Sequence, residues 1–284
     1  FAIQENGRIL YVNQTLADLL GYRKEELLGK NGIEILLAPQ SQGSAQRLIA
    51  KDSSEAYEVL MARRDGSFFP VEMVGHKLNE NLRLNVFQDI AERRCRQAVI
   101  RVQRAGLNIE KMQNLGKIVR ILSDEIEEMG VLFEVVGLMI IDEENDLLTS
   151  YHAYPEFRGY RSFQDAAPLQ ELLQRFAPLR SLVSHWHRTK IWEYEADEEF
   201  LQMMQESSLG STYRPQSVIN VPFTQGVLGL GLSPGSSANT ETLVALLGEF
   251  SQPISSTIKR LAEIRALRKA LDSTRKQLHI QQPD

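Results

Sequence analysis

The hydrophobic repeat of this chain changes abruptly at residues 89–91, and that change limits the folds open to it. Before it, Leu82, Leu84 and Val86 alternate with polar neighbours, as a half-buried strand requires. Beyond it, Ala98, Val102, Ala105, Ile109, Met112, Gly116 and Val119 step 4-3-4-3-4-3, the spacing of a helical seam. The junction, "QDIAERR", holds neither glycine nor proline. A sheet therefore passes straight into a helix, and a strain in the sheet has no flexible loop in which to dissipate. Leu122, Ile126 and Met129 continue the seam after a three-residue step, a stammer-like change of phase. No proline interrupts residues 90–132, so one long helix is expected. Its seam, small at Ala and Gly, suits either an amphipathic helix lying on its own domain or a coiled coil that pairs two copies. A homodimer is expected.

On the N-terminal side, strand-like residues 1–4 and 8–12 flank Asn6-Gly7, a pair favoured in two-residue hairpin turns. Asn13 is a good helix N-cap, Leu16, Leu19 and Leu20 share one helical face, and Gly21 supplies a left-handed stop. A second short helix, residues 24–28, stops at Gly29 in the same way. A hairpin around Asp65-Gly66 and the strand before the junction complete an antiparallel sheet with helices on one face. On the C-terminal side, "FEVVGLMIIDEENDLLTSYHAY" reads as two strands about a polar turn at residues 143–146. Helical stretches follow at residues 169–176 and 197–205, then two strands about Gln225-Gly226. Residues 240–278 form a last long helix, on which Ile264, Leu267, Leu271, Thr274 and Leu278 step 3-4-3-4, a second candidate dimer seam.

A length of 284 residues suits two domains, each able to bury its own core. The net charge of −5 and the lack of a basic block argue against nucleic-acid and membrane-surface binding, which need clustered Lys and Arg. No apolar run is long enough to span a membrane, and no signal-peptide pattern is present. One cysteine, Cys95, excludes an internal disulfide framework and a multi-cysteine metal site, and suits a reducing cytoplasm. The chain opens on a strand and ends inside a helical pattern, as a piece of a longer protein would.

Residues 1–94 resemble a PAS domain through "GRILYVNQTLADLLGYRKEELLGK", "RRDGSFFPVEM" and the closing "FQDIAERR", with Ala91 where that family usually has Thr. The second half resembles a GAF domain through "VVGLMIIDEENDLLTSYHAY", "SVINVPFTQGVLGLGLSP" and the long terminal helix. The resemblances imply an α+β fold: two antiparallel-sheet sensor domains, PAS-like then GAF-like, joined by a long helix and followed by a C-terminal coiled-coil helix. The expected boundaries are 1–92 for the PAS-like domain, 93–132 for the connector, 133–260 for the GAF-like domain and 261–284 for the signalling helix. The PAS resemblance implies that Asp89 and Ile90 form the joint through which a change in the sheet reaches the helix. Asp89 also suits a helix start in its own right.

Few residues of the chain are patterned for chemistry. Residues 184–189, Ser-His-Trp-His-Arg-Thr, look superficially like a histidine-kinase phosphoacceptor box, but no ATP-binding motif follows in the remaining chain. His185 and His187 are spaced for one face of a strand, yet no cysteine stands near to complete a metal site. "GVLGLG" sits between strand-like residues and makes a poor phosphate cradle. No cysteine is placed for flavin photochemistry or covalent bilin, no helical His for PAS haem, and no cyclic-nucleotide signature occurs. A colourless protein with no covalently bound cofactor is expected, and His76 and His152 read as structural. In the PAS-like half, Leu16, Leu19, Leu20, Tyr22, Ile33, Ile35, Met61, Met73 and Val86 could line a cavity, with Asn13 and Asn85 as its polar groups. A filled core explains them equally well. No catalytic dyad or triad emerges, so no enzyme is expected. The expected function is a sensory module that binds a small ligand or partner and signals to an output domain outside the chain, a histidine kinase or diguanylate cyclase. The alternatives are a stand-alone dimerising scaffold and an enzyme fragment.

Overall fold

A computed structural model describes residues 1–50, 54–155, 163–206 and 214–280. Two compact units emerge: Phe1–Ala98 with Asp124–Phe133 and Ser233–Thr240, and Val99–Ser123 with Glu134–Leu232 and Glu241–Asp284.

In the first unit, β1 (Ala2–Glu5) and β2 (Arg8–Val12) form a hairpin whose turn residues Asn6 and Gly7 both have positive φ, 50° and 79°. That turn twists in the sense the strands need. Four short helices follow: α1 (Gln14–Leu20), α2 (Lys24–Leu27), α3 (Gly32–Leu36) and α4 (Pro39–Ala50). Asn13 caps α1 by accepting from the Leu16 amide, and Gly21 ends it in the left-handed region. β3 (Tyr57–Ala62), β4 (Phe68–Lys77) and β5 (Leu82–Asp89) complete an antiparallel sheet of order β2-β1-β5-β4-β3. Leu16, Ala17, Leu20, Leu27 and Leu36 of the helices pack on Val59, Met61, Val71 and Met73 of the sheet.

After the first sheet come α5 (Ala91–Leu107), a single 3-10 turn at Met112–Asn114, and α6 (Gly116–Glu128). The connector is thus two helices, where the unbroken heptads predict one. The break lies where Arg260 Nη2 donates to the carbonyls of Gly106 (2.7 Å) and Ile109 (2.6 Å). In a continuous helix the Gly106 carbonyl would instead accept from the amide four residues on. Gly106 is also a weak helix former, and a Cβ there would collide with Thr257.

In the second unit, β6 (Phe133–Asp142) and β7 (Leu147–Ala153) flank the polar turn, with β8 (Phe163–Pro168) beside β7. Then come α7 (Leu169–Arg175), α8 (Ala177–His187), β9 (Trp192–Glu195), α9 (Glu198–Glu206), β10 (Ser217–Phe223), β11 (Gly226–Leu232) and the 41-residue α10 (Thr240–Ile280). The sheet order is β8-β7-β6-β11-β10-β9, with β8–β7, β7–β6, β11–β10 and β10–β9 paired antiparallel. The two-sheet α+β architecture therefore stands. The connector seam does not face outward: Ala98, Val102, Ile109, Val119, Leu122 and Ile126 are all buried within the single chain. The intrachain alternative accounts for that seam, and a dimer needs another surface.

Candidate functional site

Among the described residues of the first unit, a cavity in the core is about 10 Å³, room for a single water. Of the residues expected to line a pocket, Ile33, Met73 and Asn85 border it. Leu16, Leu20 and Met61 are packed into the core, and Leu19, Tyr22 and Ile35 lie partly buried at its edge. Asn13 is spent on capping α1. Val86 is 43% exposed, so it faces away from any pocket. The strand alternation puts Asn85, not Val86, on the inner face; Asn85 is 2% exposed, and its Oδ1 has no hydrogen-bond partner.

The joint is as direct as its sequence. One residue, Ile90, separates β5 from α5; it is buried, and its amide donates to the Pro70 carbonyl at 3.2 Å. Asp89 Oδ1 accepts from the Ala91 amide at 2.8 Å, satisfying a donor at the helix start. Arg93 bridges Glu72 (2.9 Å) and Glu58 (3.1 Å), which face each other across β3 and β4. Arg94 pairs with Glu58 and with Glu128 of α6.

A largely apolar cavity of about 220 Å³ lies in the second unit, away from the residues that the sequence suggests; a more polar recess of about 540 Å³ lies in the same unit beside Trp186, Phe223 and Ser251. Its floor is one face of the sheet, where Ser150 and His152 of β7, Gly137 and Met139 of β6, Asn220 of β10 and Gly229 of β11 line it. His152 pairs with Gly137 in register, and Asn220 with Gly229. A Cβ on Gly137 would lie 3.2 Å from the His152 ring, and one on Gly229 would collide with the Asn220 side-chain oxygen. The two inner strands are therefore glycine where the outer neighbours carry polar side chains that lean inward. Leu179 and Leu182 of α8, Trp192 of β9, and Phe200, Met203 and Met204 of α9 supply apolar walls. Trp192 is held by a bond from its indole N–H to Ser181 Oγ at 3.0 Å and stacks on Tyr194 at 4.8 Å.

His152 is 6% exposed, and its Nδ1 has no hydrogen-bond partner. Burial pushes it down to about 4, against the upward pull of the Asp165 carboxylate. It is neutral at ordinary pH, with one ring nitrogen a donor and the other an acceptor. Tyr151, next to it on β7, points to the other side of the sheet. There its hydroxyl donates to the Met112 carbonyl at 2.9 Å, in the turn between α5 and α6. Adjacent residues of one strand thus touch the cavity and the connector.

The pair His185 and His187 lies on the C-terminal end of α8, not on a strand. Residues two apart on a helix do not share a face. His185 Nδ1 lies 2.8 Å from the Ser181 carbonyl, and His187 Nε2 3.0 Å from Glu143. Among the described residues no group of three His, Cys, Asp or Glu is placed to hold a metal. Nor is any described helix long and apolar enough to cross a membrane. His76 is exposed on β4.

Residues 1–92 match the family described as "PAS domain". No curated protein matches. Among solved structures, the chain is similar to the PAS domain of an HTR-like protein from Haloarcula marismortui, at 29% identity, covering 31% of this chain and 83% of that one, with a TM-score of 0.29. It is similar to the PAS domain of the Cronobacter turicensis RpfR quorum-sensing receptor, solved in complex with BDSF, at 20% identity over 31% and 90%, TM-score 0.28. It is also similar to the LOV domain of the Erythrobacter litoralis EL346 blue-light activated histidine kinase, at 16% identity over 32% and 94%, TM-score 0.29.

Proposed function

We propose, from the PAS domain in residues 1–92, that this chain is a two-domain sensory module whose second, GAF-like domain takes a small ligand. PAS-domain homologues are sensory, ligand-binding signal-transduction modules. The observation that carries the ligand reading is the 220 Å³ cavity, apolar-walled with a few convergent polar groups. The small size of the cavity among the described PAS residues, room for about one water, favours relay or assembly as that domain's role. The cavity's occupancy reaches the connector through β7, from His152 to Tyr151 and on to Met112. At the other end of the connector, Asp89 and Ile90 join it to the PAS sheet. The signal leaves through α10 toward an output domain or partner protein of kinase or cyclase type. Two copies pair along the outer stripe of α10, where Leu267 and Leu271 are 65% and 62% exposed. The role is regulatory, in the cytoplasm, with no catalysis by this chain.

The test is a thermal-shift screen of small apolar compounds on the full chain beside a Leu182→Phe variant, whose added ring occupies the cavity. Binders should raise the Tm of the parent and not of the variant, and should alter amide hydrogen exchange in α10. A screen with no binder, or with binders indifferent to Leu182→Phe, removes the ligand reading.

A further inference from the structure

The cavity's size, floor and one unpaired buried group narrow what can enter it. A cavity of about 150 Å³ lined by aliphatic and aromatic groups takes benzene, about six non-hydrogen atoms. On that scale, the 220 Å³ of the second domain takes about nine. This lies below the range of roughly 300–1,000 Å³ used by drug-sized ligands and cofactors. Shape points the same way. On the floor the His152 ring and the Asn220 amide lie over Gly137 and Gly229, and the wall carries the rings of Trp192 and Phe200, so a flat molecule meets planar groups. Charge points away from an ion. The lining holds one residue of each charge: Arg175 is solvent-exposed, its guanidinium 5.1 Å from the Phe176 ring, and Asp165 accepts from the Ala166 amide, so neither is a buried ion. A phosphate or carboxylate carried inside would leave water without a buried cation to meet it. His152, by contrast, is a buried imidazole with an unpartnered nitrogen, and a buried polar group without a partner is costly.

Resting on the reading of this cavity as a ligand site, we propose that it binds a neutral, flat aromatic molecule of indole size whose single N–H or O–H donates to the His152 ring. Ser150 and Asn220 stand on the same floor and orient the polar edge of the ligand toward β7 and β10.

The test is calorimetric titration of the full chain with indole and with indene, which has the same fused frame but a CH₂ in place of the N–H. The parent should bind indole about tenfold more tightly than indene, the worth of one buried hydrogen bond. In His152→Leu the two should bind alike, whereas His152→Gln, which keeps an acceptor, should restore part of the preference. Leu182→Phe, or Leu179→Phe should that variant fold poorly, should bind neither. Equal binding of both compounds by the parent, lost in the filled variants, overturns the donor-bearing aromatic and leaves the ligand-site reading standing. Binding of neither compound overturns the proposal even where the thermal-shift screen finds other binders. An indole preference that survives His152→Leu overturns it as well.

Discussion

Glycine at the middle of a β-sheet usually weakens it; in the second domain Gly137 and Gly229 leave the room into which the His152 ring and the Asn220 amide lean. These two and Gly226, at the start of β11, differ in what a methyl group would strike. At Gly226 it would collide with the Met139 backbone carbonyl, at Gly229 with the tip of the Asn220 side chain, and at Gly137 it would approach the His152 ring at 3.2 Å. Backbone cannot turn aside, whereas an amide tip can swing into the cavity. Gly226→Ala should therefore cost about 2–4 kcal/mol and Gly229→Ala only about 1, a ranking that urea unfolding of the variants reads directly. His152 gives a pH dependence with a definite sign. Its folded-state value, about 4, lies below the ordinary 6.5, so the unfolded chain binds the proton more readily. The domain should keep its full stability above about pH 6.5 and lose up to about 3 kcal/mol as pH falls from there to 4. The nearby Asp165 opposes part of this by stabilising the charged ring. In His152→Gln that share of the slope should vanish from denaturation curves taken between pH 4 and 7. The sequence held a signal for this site, because glycines recurring inside two apolar strand patterns mark close approach or open space. Read along the chain, "GVLGLG" is a poor phosphate cradle, and His152 is a structural histidine ahead of a haem ligand. What cannot be read along the chain is that Gly137 faces His152 and Gly229 faces Asn220, since register across strands is a tertiary fact.

At the scale of elements, the strands and turns of the first unit were legible because each had local causes: Asn6-Gly7, Asn13 and Gly21 act on their immediate neighbours. The heptad seam was legible as a seam but not in its partner. A 3-4 repeat states that a helix has an apolar face and is silent on whether the opposing surface belongs to the same chain. With Ile109 buried in its own domain, Ile109→Glu should destabilise the second unit and lower its Tm rather than dissociate a folded dimer. Leu267→Glu with Leu271→Glu, on the exposed stripe of α10, should give folded monomer by light scattering where the parent is dimeric. A parent that is monomeric at high concentration ends the dimer proposal. The break between α5 and α6 was beyond sequence reasoning, since Arg260, which takes the carbonyls there, lies 154 residues from Gly106. Removing it in Arg260→Ala leaves two carbonyls short of a charged donor and should cost about 2–4 kcal/mol in chemical unfolding.

For the whole molecule, the question is whether the joint at Asp89 and Ile90 carries strain. The pieces are in place: no residue of free φ between β5 and α5, a buried Ile90 bonded to Pro70, and Arg93 and Arg94 clasping the helix start to Glu58, Glu72 and Glu128. Leu20→Ala opens a cavity in the PAS core at a cost of about 2–5 kcal/mol. In the parent this should change amide hydrogen exchange in residues 113–129 as well as near Leu20. With Gly-Gly inserted after Ile90, both domains should stay folded and the distant change should disappear. Its persistence would mean that the coupling runs by another route.

The Arg260 contact has a further consequence, one of time. A ribosome releases α5 well before the segment that bears Arg260, because 154 residues separate the guanidinium from the Gly106 carbonyl it serves. In that interval the Gly106 carbonyl has only the local Ile109 amide, neither it nor the Ile109 carbonyl has the guanidinium, and the seam at Val102 and Ile109 lacks the surface that later buries it. The PAS sheet, complete by Asp89, can form early, while the second domain waits for α10 to leave the exit tunnel. Chains arrested before residue 260 should show a protease-resistant N-terminal fragment and a connector still open to cleavage.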